Sequence, residues 1–165
     1  MTTAYISVGS NVQPEANIRQ GLAMLREEYG PLCLSPVYRS TAVGFEGDDF
    51  LNLVATFNSD DPVETVAETL DEIENRCGRI RNGIRFGPRT LDLDLILFGK
   101  QIIDQPGLKL PRDEILSYAF VLRPLADLDP QGIHPGEGKS YAALWTERSQ
   151  GAQVLIPTPD INFNE

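Results

Sequence analysis

The chain is poor in the residues that build several common kinds of site. Among its 165 residues it has one histidine, His134, and two cysteines, Cys33 and Cys77, far apart in sequence. One imidazole and two thiols without ligand-like spacing leave little material for a histidine-based triad or a zinc centre. The cysteines read as free core thiols in a reducing compartment. His134 reads as a loop residue between two prolines. No apolar run approaches the ~20 residues that a membrane-spanning helix needs. The opening residues, MTTAYISVGSN, carry neither a basic stretch nor a long apolar one, so no secretion leader is expected. A cytoplasmic protein without a membrane partner is the expectation. Basic residues are scarce: 14 Lys and Arg stand against 24 Asp and Glu, for a net charge of -10. Nucleic acid is therefore an unsuitable partner, since a nonspecific binder presents a basic face and no aromatic RNP-type motif is present. The absence of GxxxxGK[ST] excludes a P-loop site. There is no internal repeat and no low-complexity segment.

What remains is an ordinary soluble composition, 41% hydrophobic and 23% charged, in a length that suits a single domain over 1–165. The few basic residues are also unevenly spread. RCGRIRNGIRFGPR, Arg76 to Arg89, holds five of the 14 and no acid. An acidic chain that concentrates arginine in one loop is suited to a localised anion; the bland alternative is a solvated basic turn.

The pattern along the chain alternates between two periods. Ala4 to Val8 reads as a strand, and Gly9-Ser10-Asn11 turns the chain. Pro14 opens a helix to about Tyr29, with Ile18, Leu22 and Leu25 on one face, stopped by Gly30-Pro31. Leu32 to Tyr38 reads as one strand, Ser40 to Asp49 as a loop, and Phe50 to Asn58 as a third strand. Asp61-Pro62-Val63-Glu64 reads as a helix start, with Asp61 as cap and Pro62 at the first helical position. Val63, Val66, Leu70 and Ile73 form its apolar stripe, and Gly78 ends it. Leu91 to Phe98 is the next strand. This order, βαββαβ, is that of a ferredoxin-like α+β fold with an antiparallel sheet and helices on one face. Short strands near 101–104 and 108–110, a loop and helix over 112–125, a helix over 141–148 and an edge strand near 154–156 would be C-terminal additions. Trp145 reads as packing for the last helix. Residues 157–165, with two prolines, read as a flexible tail.

Within the fourth strand, Asp92 and Asp94 share a face, with Cα atoms roughly 6.5–7 Å apart. Leu91, Leu93 and Leu95 share the other. LDLDL can be simply a half-exposed strand. However, LILF follows, apolar on both faces, so the strand reads as central. Two like charges there repel and resist desolvation unless a cation sits between them. Carboxylate pairs suit Mg²⁺ with phosphate oxygens, and such a pair can bridge two ions. Arg79, Arg81, Arg85 and Arg89, just upstream, could grip a triphosphate through their guanidinium forks. Phe50 and Phe120 could hold a flat substrate, and Asn52, one pleat from Phe50, could recognise a heterocycle edge; core packing and a strand-end hydrogen bond are the plainer roles.

FGPRTLDLD, Phe86 to Asp94, resembles the core motif of the 6-hydroxymethyl-7,8-dihydropterin pyrophosphokinases. So do Val8-Gly9-Ser10-Asn11, Tyr38-Arg39, Phe50-Leu51-Asn52, Glu74 with Gly78-Arg79-Ile80-Arg81, and Ala119-Phe120-Val121-Leu122 with Pro124-Leu125. The resemblance runs from about residue 4 to residue 130. It implies transfer of the β,γ-diphosphate of ATP to a pterin hydroxymethyl group in folate biosynthesis, with AMP released. It implies that Asp92 and Asp94 hold two Mg²⁺ and that Arg79 and Arg89 are catalytic. Arg81 and Arg85 would assist at the triphosphate, with Glu74 and Leu95 near the nucleoside. Ser40, Val43, Phe50, Asn52 and Phe120 would line the pterin pocket. The partners would be these small molecules, bound by a monomer. Phe50 and Phe86 depart mildly from the family pattern, standing where tyrosine and tryptophan are common, and three positions depart further. Arg112 stands where a histidine is usual, Asp113 follows it, and Tyr118 stands where an arginine is usual. Arg112 would then contact ATP in the histidine's place. The alternatives are a divergent relative acting on another pterin-like alcohol, and a noncatalytic ferredoxin-like binding module.

Overall fold

The computed structural model describes residues 1–41, 48–78 and 90–164. Strand β1 (Thr2–Ser10) runs into helix α1 (Pro14–Tyr29), then two short strands, β2 (Cys33–Leu34) and β3 (Tyr38–Ser40). Strand β4 (Phe50–Ser59), helix α2 (Val63–Arg76) and strand β5 (Asp92–Phe98) follow, so the order to this point is βαβββαβ. A hairpin of β6 (Ile103–Gln105) and β7 (Leu108–Leu110) follows. Helices α3 (Glu114–Ser117), α4 (Ala119–Leu128) and α5 (Tyr141–Arg148) and the short strand β8 (Ile156–Pro157) end the chain.

The main sheet has the order β5-β1-β4-β3-β8, with β2 also paired to β4, and every pairing is antiparallel. Its lower face is the larger core. Ala4, Ile6 and Val8 of β1 and Leu51, Leu53, Ala55 and Phe57 of β4 meet Ile18, Leu22 and Leu25 of α1 and Val66, Leu70 and Ile73 of α2. Both helical stripes fall where the sequence puts them. The start of α2 is one residue later than its motif suggests. Pro62 is the N-cap, and no side chain caps the helix. A cap contributes about 1 kcal/mol, whereas each fully buried Val, Leu or Ile contributes about 1.5–3 kcal/mol, so the stripe decides whether α2 forms.

Helices on one face alone would leave the upper face bare, and the structure differs. Val54, Ile96 and Leu97 form a second core there with Ile115, Val121, Leu122, Leu125 and Leu144 from α3, α4 and α5. This layer also explains the run LILF without a central strand. Among the described residues β5 pairs only with β1, so it is an edge strand of its sheet. The register slips between Tyr5 and Ile6. Leu95 and Phe98 then face the lower core, and Ile96 and Leu97 both face the upper one. A bulge of this kind puts two successive residues against one partner and bends the strand.

Three other expectations change. The strand read over Leu32 to Tyr38 breaks at Ser35-Pro36, since proline has no N–H for the ladder. Ser35 keeps the edge paired there: its N–H donates to the Val54 carbonyl, and its Oγ accepts from the Val54 N–H, both at 2.9 Å. Cys77 is buried but Cys33 is exposed, so only one of the two free thiols is in the core. The tail packs rather than frays. Thr158 N–H donates to the Val37 carbonyl, and Phe163 is buried among α1 residues, with Arg26 Nη2 2.7 Å from its carbonyl. One aromatic gives the segment enough apolar area to dock, which its polar composition hides.

Candidate active site

The apolar cluster of the upper face stops short of one end of the sheet. Past Val54 and Ile96 the upward side chains change character. The register pairs Gly9 with Asp92 on one side and with Asn52 on the other, and pairs Asn52 with Tyr38. Ser7 lies between Asp94 and Val54 in the next row. Asp92 and Asn52 thus flank Gly9 on one face, two strand spacings or roughly 9.5–10 Å apart. Asp92 and Asp94 are half-buried, with Leu93 and Leu95 buried below, as alternation requires.

Gly9 is required at the centre of that row. A Cβ there would lie 2.9 Å from Asn52 Oδ1 and 3.9 Å from the Phe50 ring. Asn52 is itself fixed: it is buried, and its Nδ2 donates to Ser40 Oγ at 2.7 Å. Ser40, Phe50 and Asn52, three of the five residues assigned to one pocket from sequence, are therefore brought together at one end of β3 and β4. Phe120, half-buried at the start of α4, stacks on Tyr118 with ring centroids 4.9 Å apart.

The turn after β1 braces the same end. Ser10, fully buried, donates from Oγ to the Thr90 carbonyl at 2.6 Å. Asn11 Nδ2 donates to the Asp48 carbonyl at 3.2 Å. Thr90 and Asp48 are where the described chain resumes after 79–89 and 42–47, so one turn holds the ends of both connections. Gly9-Ser10-Asn11 turns the chain as its residues predict, and the bracing by its two polar side chains is the part that the sequence does not show. Val43, Arg79, Arg81, Arg85 and Arg89 lie outside the described residues.

Arg112 reaches this end through the backbone, its N–H donating to the Ile96 carbonyl at 3.0 Å. Its Nε lies 2.6 Å from Glu114 Oε2. Burial works against the guanidinium charge, but the bond to Glu114 and the charges of Asp94, Glu114 and Asp113 outweigh it, so its pKa is raised. Arg112 is thus a cation close enough to feel Asp94. Leu95 turns its side chain into the lower core, and Glu74 is buried on α2, below the sheet. Neither side chain joins the aspartates on the upper face. The Leu93 N–H donates to Glu74 Oε2 at 3.0 Å.

A second set of side chains supports β3. The Tyr38 hydroxyl donates to Asp127, and Arg123 sits 5.3 Å from the centroids of both the Tyr38 and Trp145 rings. Burial first, then the bond to Asp127, pushes the Tyr38 pKa up to about 12. Trp145 does pack the last helix, but through this cation as well as through apolar contact. Gln153 Nε2 donates to Thr41, holding the C-terminal segment against the end of β3.

As a cation site, the described residues offer two carboxylates and no cluster of three or more metal-ligating side chains. That donor set fits Mg²⁺, which takes one or two carboxylates and completes its shell with water and phosphate oxygens. No helix among the described residues is long and apolar enough to cross a membrane.

A family model described as 7,8-dihydro-6-hydroxymethylpterin-pyrophosphokinase (HPPK) matches residues 5–130. The chain is similar to the 2-amino-4-hydroxy-6-hydroxymethyldihydropteridine pyrophosphokinase of Pseudomonas aeruginosa, 39% identical over 76% of this chain and 80% of that one. The enzymes of the same name from Bacillus subtilis and a Synechocystis species are 36% and 35% identical, over 78% and 86% of this chain and 78% and 73% of theirs. Among solved structures, an HPPK-DHPS protein in complex with substrates superposes with a TM-score of 0.73 at 9% identity, over 92% of this chain and 46% of that one. Plasmodium falciparum HPPK-DHPS with pteroate gives a TM-score of 0.66 at 13% identity, over 89% of this chain and 42% of that one. This chain spans about half the length of those solved chains, and at such identities the likeness is one of fold.

Proposed function

The chain belongs to the 7,8-dihydro-6-hydroxymethylpterin-pyrophosphokinase family, and we propose that it uses the open end of its sheet to hold a pterin beside ATP. It is a pyrophosphokinase of folate biosynthesis, transferring diphosphate to 6-hydroxymethyl-7,8-dihydropterin. The finer reading assigns ATP as donor and AMP as the released product. The observation that carries it is the row Asp92–Gly9–Asn52 with Asp94 in the next row, which puts two half-buried carboxylates and a fixed amide on one face of the sheet. The order β5-β1-β4-β3, antiparallel throughout, supports the ferredoxin-like reading.

In this mechanism Phe50 and Phe120 hold the pterin ring, and Asn52 bonds its edge with its orientation fixed by Ser40. Ser40 and Val43 line the same pocket. Asp92 and Asp94 would hold two Mg²⁺, which supply charge neutralisation at the triphosphate when bound. Arg79 and Arg89 grip the transferring group, with Arg81, Arg85 and Arg112 on the remaining phosphate oxygens. Glu74 and Leu95, whose side chains turn below the sheet, border the nucleoside only at the edge of β5. The pterin hydroxyl then attacks the β-phosphorus in line. Placement and electrostatic stabilisation supply most of the rate, as is usual for phosphoryl transfer. Arg112 must exchange Glu114 for phosphate to take part, a swap between two charge-assisted contacts of similar kind. The enzyme acts as a cytoplasmic monomer; its two free thiols suit a reducing compartment.

Nucleotide products formed from ATP, Mg²⁺ and 6-hydroxymethyl-7,8-dihydropterin test this directly. AMP in one-to-one ratio with a pterin diphosphate is expected. ADP with a pterin monophosphate would replace diphosphate transfer by ordinary kinase chemistry. Tight pterin binding without turnover would favour a binding module.

A further inference from the structure

Leu93 lies between the two aspartates, and its backbone carries an obligation that the sheet does not meet. Among the described residues β5 has a strand neighbour on one side only, β1. A buried backbone N–H on the other side needs a partner. The Leu93 N–H finds one in Glu74 Oε2 at 3.0 Å, in a setting where Glu74 is 3% exposed and Leu93 3% exposed. Burying a carboxylate is costly, and an apolar side chain of similar size generally serves stability as well or better. The cost has a positional return. Asp92 and Asp94 are the residues on either side of the bonded amide, and their side chains point to the opposite face of the sheet from α2. The bond holds the outer edge of the strand at the residue between them, opposite the pairing of Asp92 and Asp94 with Gly9 and Ser7 of β1.

We propose that Glu74 is a positioning residue: its carboxylate, bonded to the Leu93 amide, sets the separation of Asp92 and Asp94 and thereby their affinity for a divalent cation with a triphosphate. The inference rests on the assignment of Asp92 and Asp94 as the cation's ligands. Glu74 never touches the ion. It acts from α2 through the strand, as groups that orient metal ligands do. Losing such a group typically weakens metal binding about 10–100-fold. An acceptor in the same place should preserve the effect, so Glu74→Gln and Glu74→Leu separate placement from charge.

Two readouts on the whole protein test it. The first is hydrogen exchange of the Leu93 amide by NMR, with the Ile6 amide in the sheet centre as internal reference. The second is Mn²⁺ affinity by electron paramagnetic resonance in the presence of inorganic tripolyphosphate, which lacks the nucleoside that Glu74 borders. In Glu74→Leu, Leu93 exchange should accelerate at least tenfold with Ile6 unchanged, and Mn²⁺ binding should weaken roughly 10–100-fold. Glu74→Gln should stay within a few-fold of the parent on both measures. Parent-like Mn²⁺ affinity in Glu74→Leu overturns the proposal. So does an equal loss in Glu74→Gln, which would make the charge, not the bond, responsible. Asp94→Ala distinguishes the other failure: parent-like Mn²⁺ affinity there removes the aspartates as ligands and this proposal with them.

Discussion

The two faces of the sheet are built to different rules. Below it, Ala4, Ile6 and Val8 of β1 and Leu51, Leu53, Ala55 and Phe57 of β4 are all apolar and buried against α1 and α2. Above it, the apolar set stops at Val54 and Ile96, and Ser7, Gly9, Asn52, Asp92 and Asp94 continue the same rows as polar or small residues outside the cluster built with α3, α4 and α5. One sheet thus serves as a core wall on one side and, on part of the other, as a rigid floor. The difference teaches that the site is defined by where the apolar set ends. Side chains on strands hold position better than those on loops, and the carboxylates and the amide both stand on strands.

Four changes would break this comparison or sharpen it. Asp94→Ala should reduce kcat/KM roughly a thousandfold, about 4 kcal/mol of barrier, while the thermal midpoint stays close to the parent's. Steady-state rates beside a melting curve check both halves. A large stability loss instead would make Asp94 part of the scaffold. Phe163→Ala is the converse. It empties a buried ring site against α1 on the lower side, and should cost about 3–4 kcal/mol in denaturant unfolding with kcat/KM per folded molecule unchanged. Gly9→Ala lies between the two. Its Cβ would displace Asn52, so KM for the pterin should rise about tenfold, near 1.4 kcal/mol, with a smaller effect on KM for ATP.

The smallest effect is pH dependence at the far end of the covered half. His134 is buried there, and its Nδ1 accepts the N–H groups of Gly136 and Glu137, each at 3.0 Å. Burial lowers its pKa, opposed by Glu137 and assisted by Arg148. The folded pKa lies below the unfolded value, so His134 contributes stability that is fully present above the unfolded pKa near 6.5. It is lost as pH falls through that value towards the folded pKa, because protonation at Nδ1 removes both bonds. Urea midpoints at pH 7.5 and 5.5 should fall further in the parent than in His134→Asn. The site's chemistry should not share this dependence.

The lower face was legible because its pattern is local. Ile18, Leu22 and Leu25, and Val66, Leu70 and Ile73, declare their helices by spacing alone, and Asp92 and Asp94 declare their shared face by alternation. The upper face depends on contacts between distant segments. Nothing near LILF reveals that α4, some 25 residues on, covers half of it; the run therefore looked central, when a bulge and a second helical layer explain it on an edge strand. Phe163 was lost for the same reason, since one aromatic in a polar tail has no period. The bond between Glu74 and the Leu93 N–H was not legible either, since only the packing of α2 against β5 brings together two residues 19 positions apart. Ser10 and Asn11 were visible as a motif, but their task lies in the carbonyls of Thr90 and Asp48, which only the fold brings near.

The most direct test of this polar floor is paramagnetic broadening by substoichiometric Mn²⁺, added with a nonhydrolysable ATP analogue, in amide-resolved NMR spectra of the protein. Broadening should be strongest at Gly9, Asp92, Leu93 and Asp94 and fall off with distance, so that Tyr5 and Leu97 under the helices, and Leu22 and Val66 below the sheet, broaden less. Broadening centred elsewhere, or equal on both faces, would contradict the account.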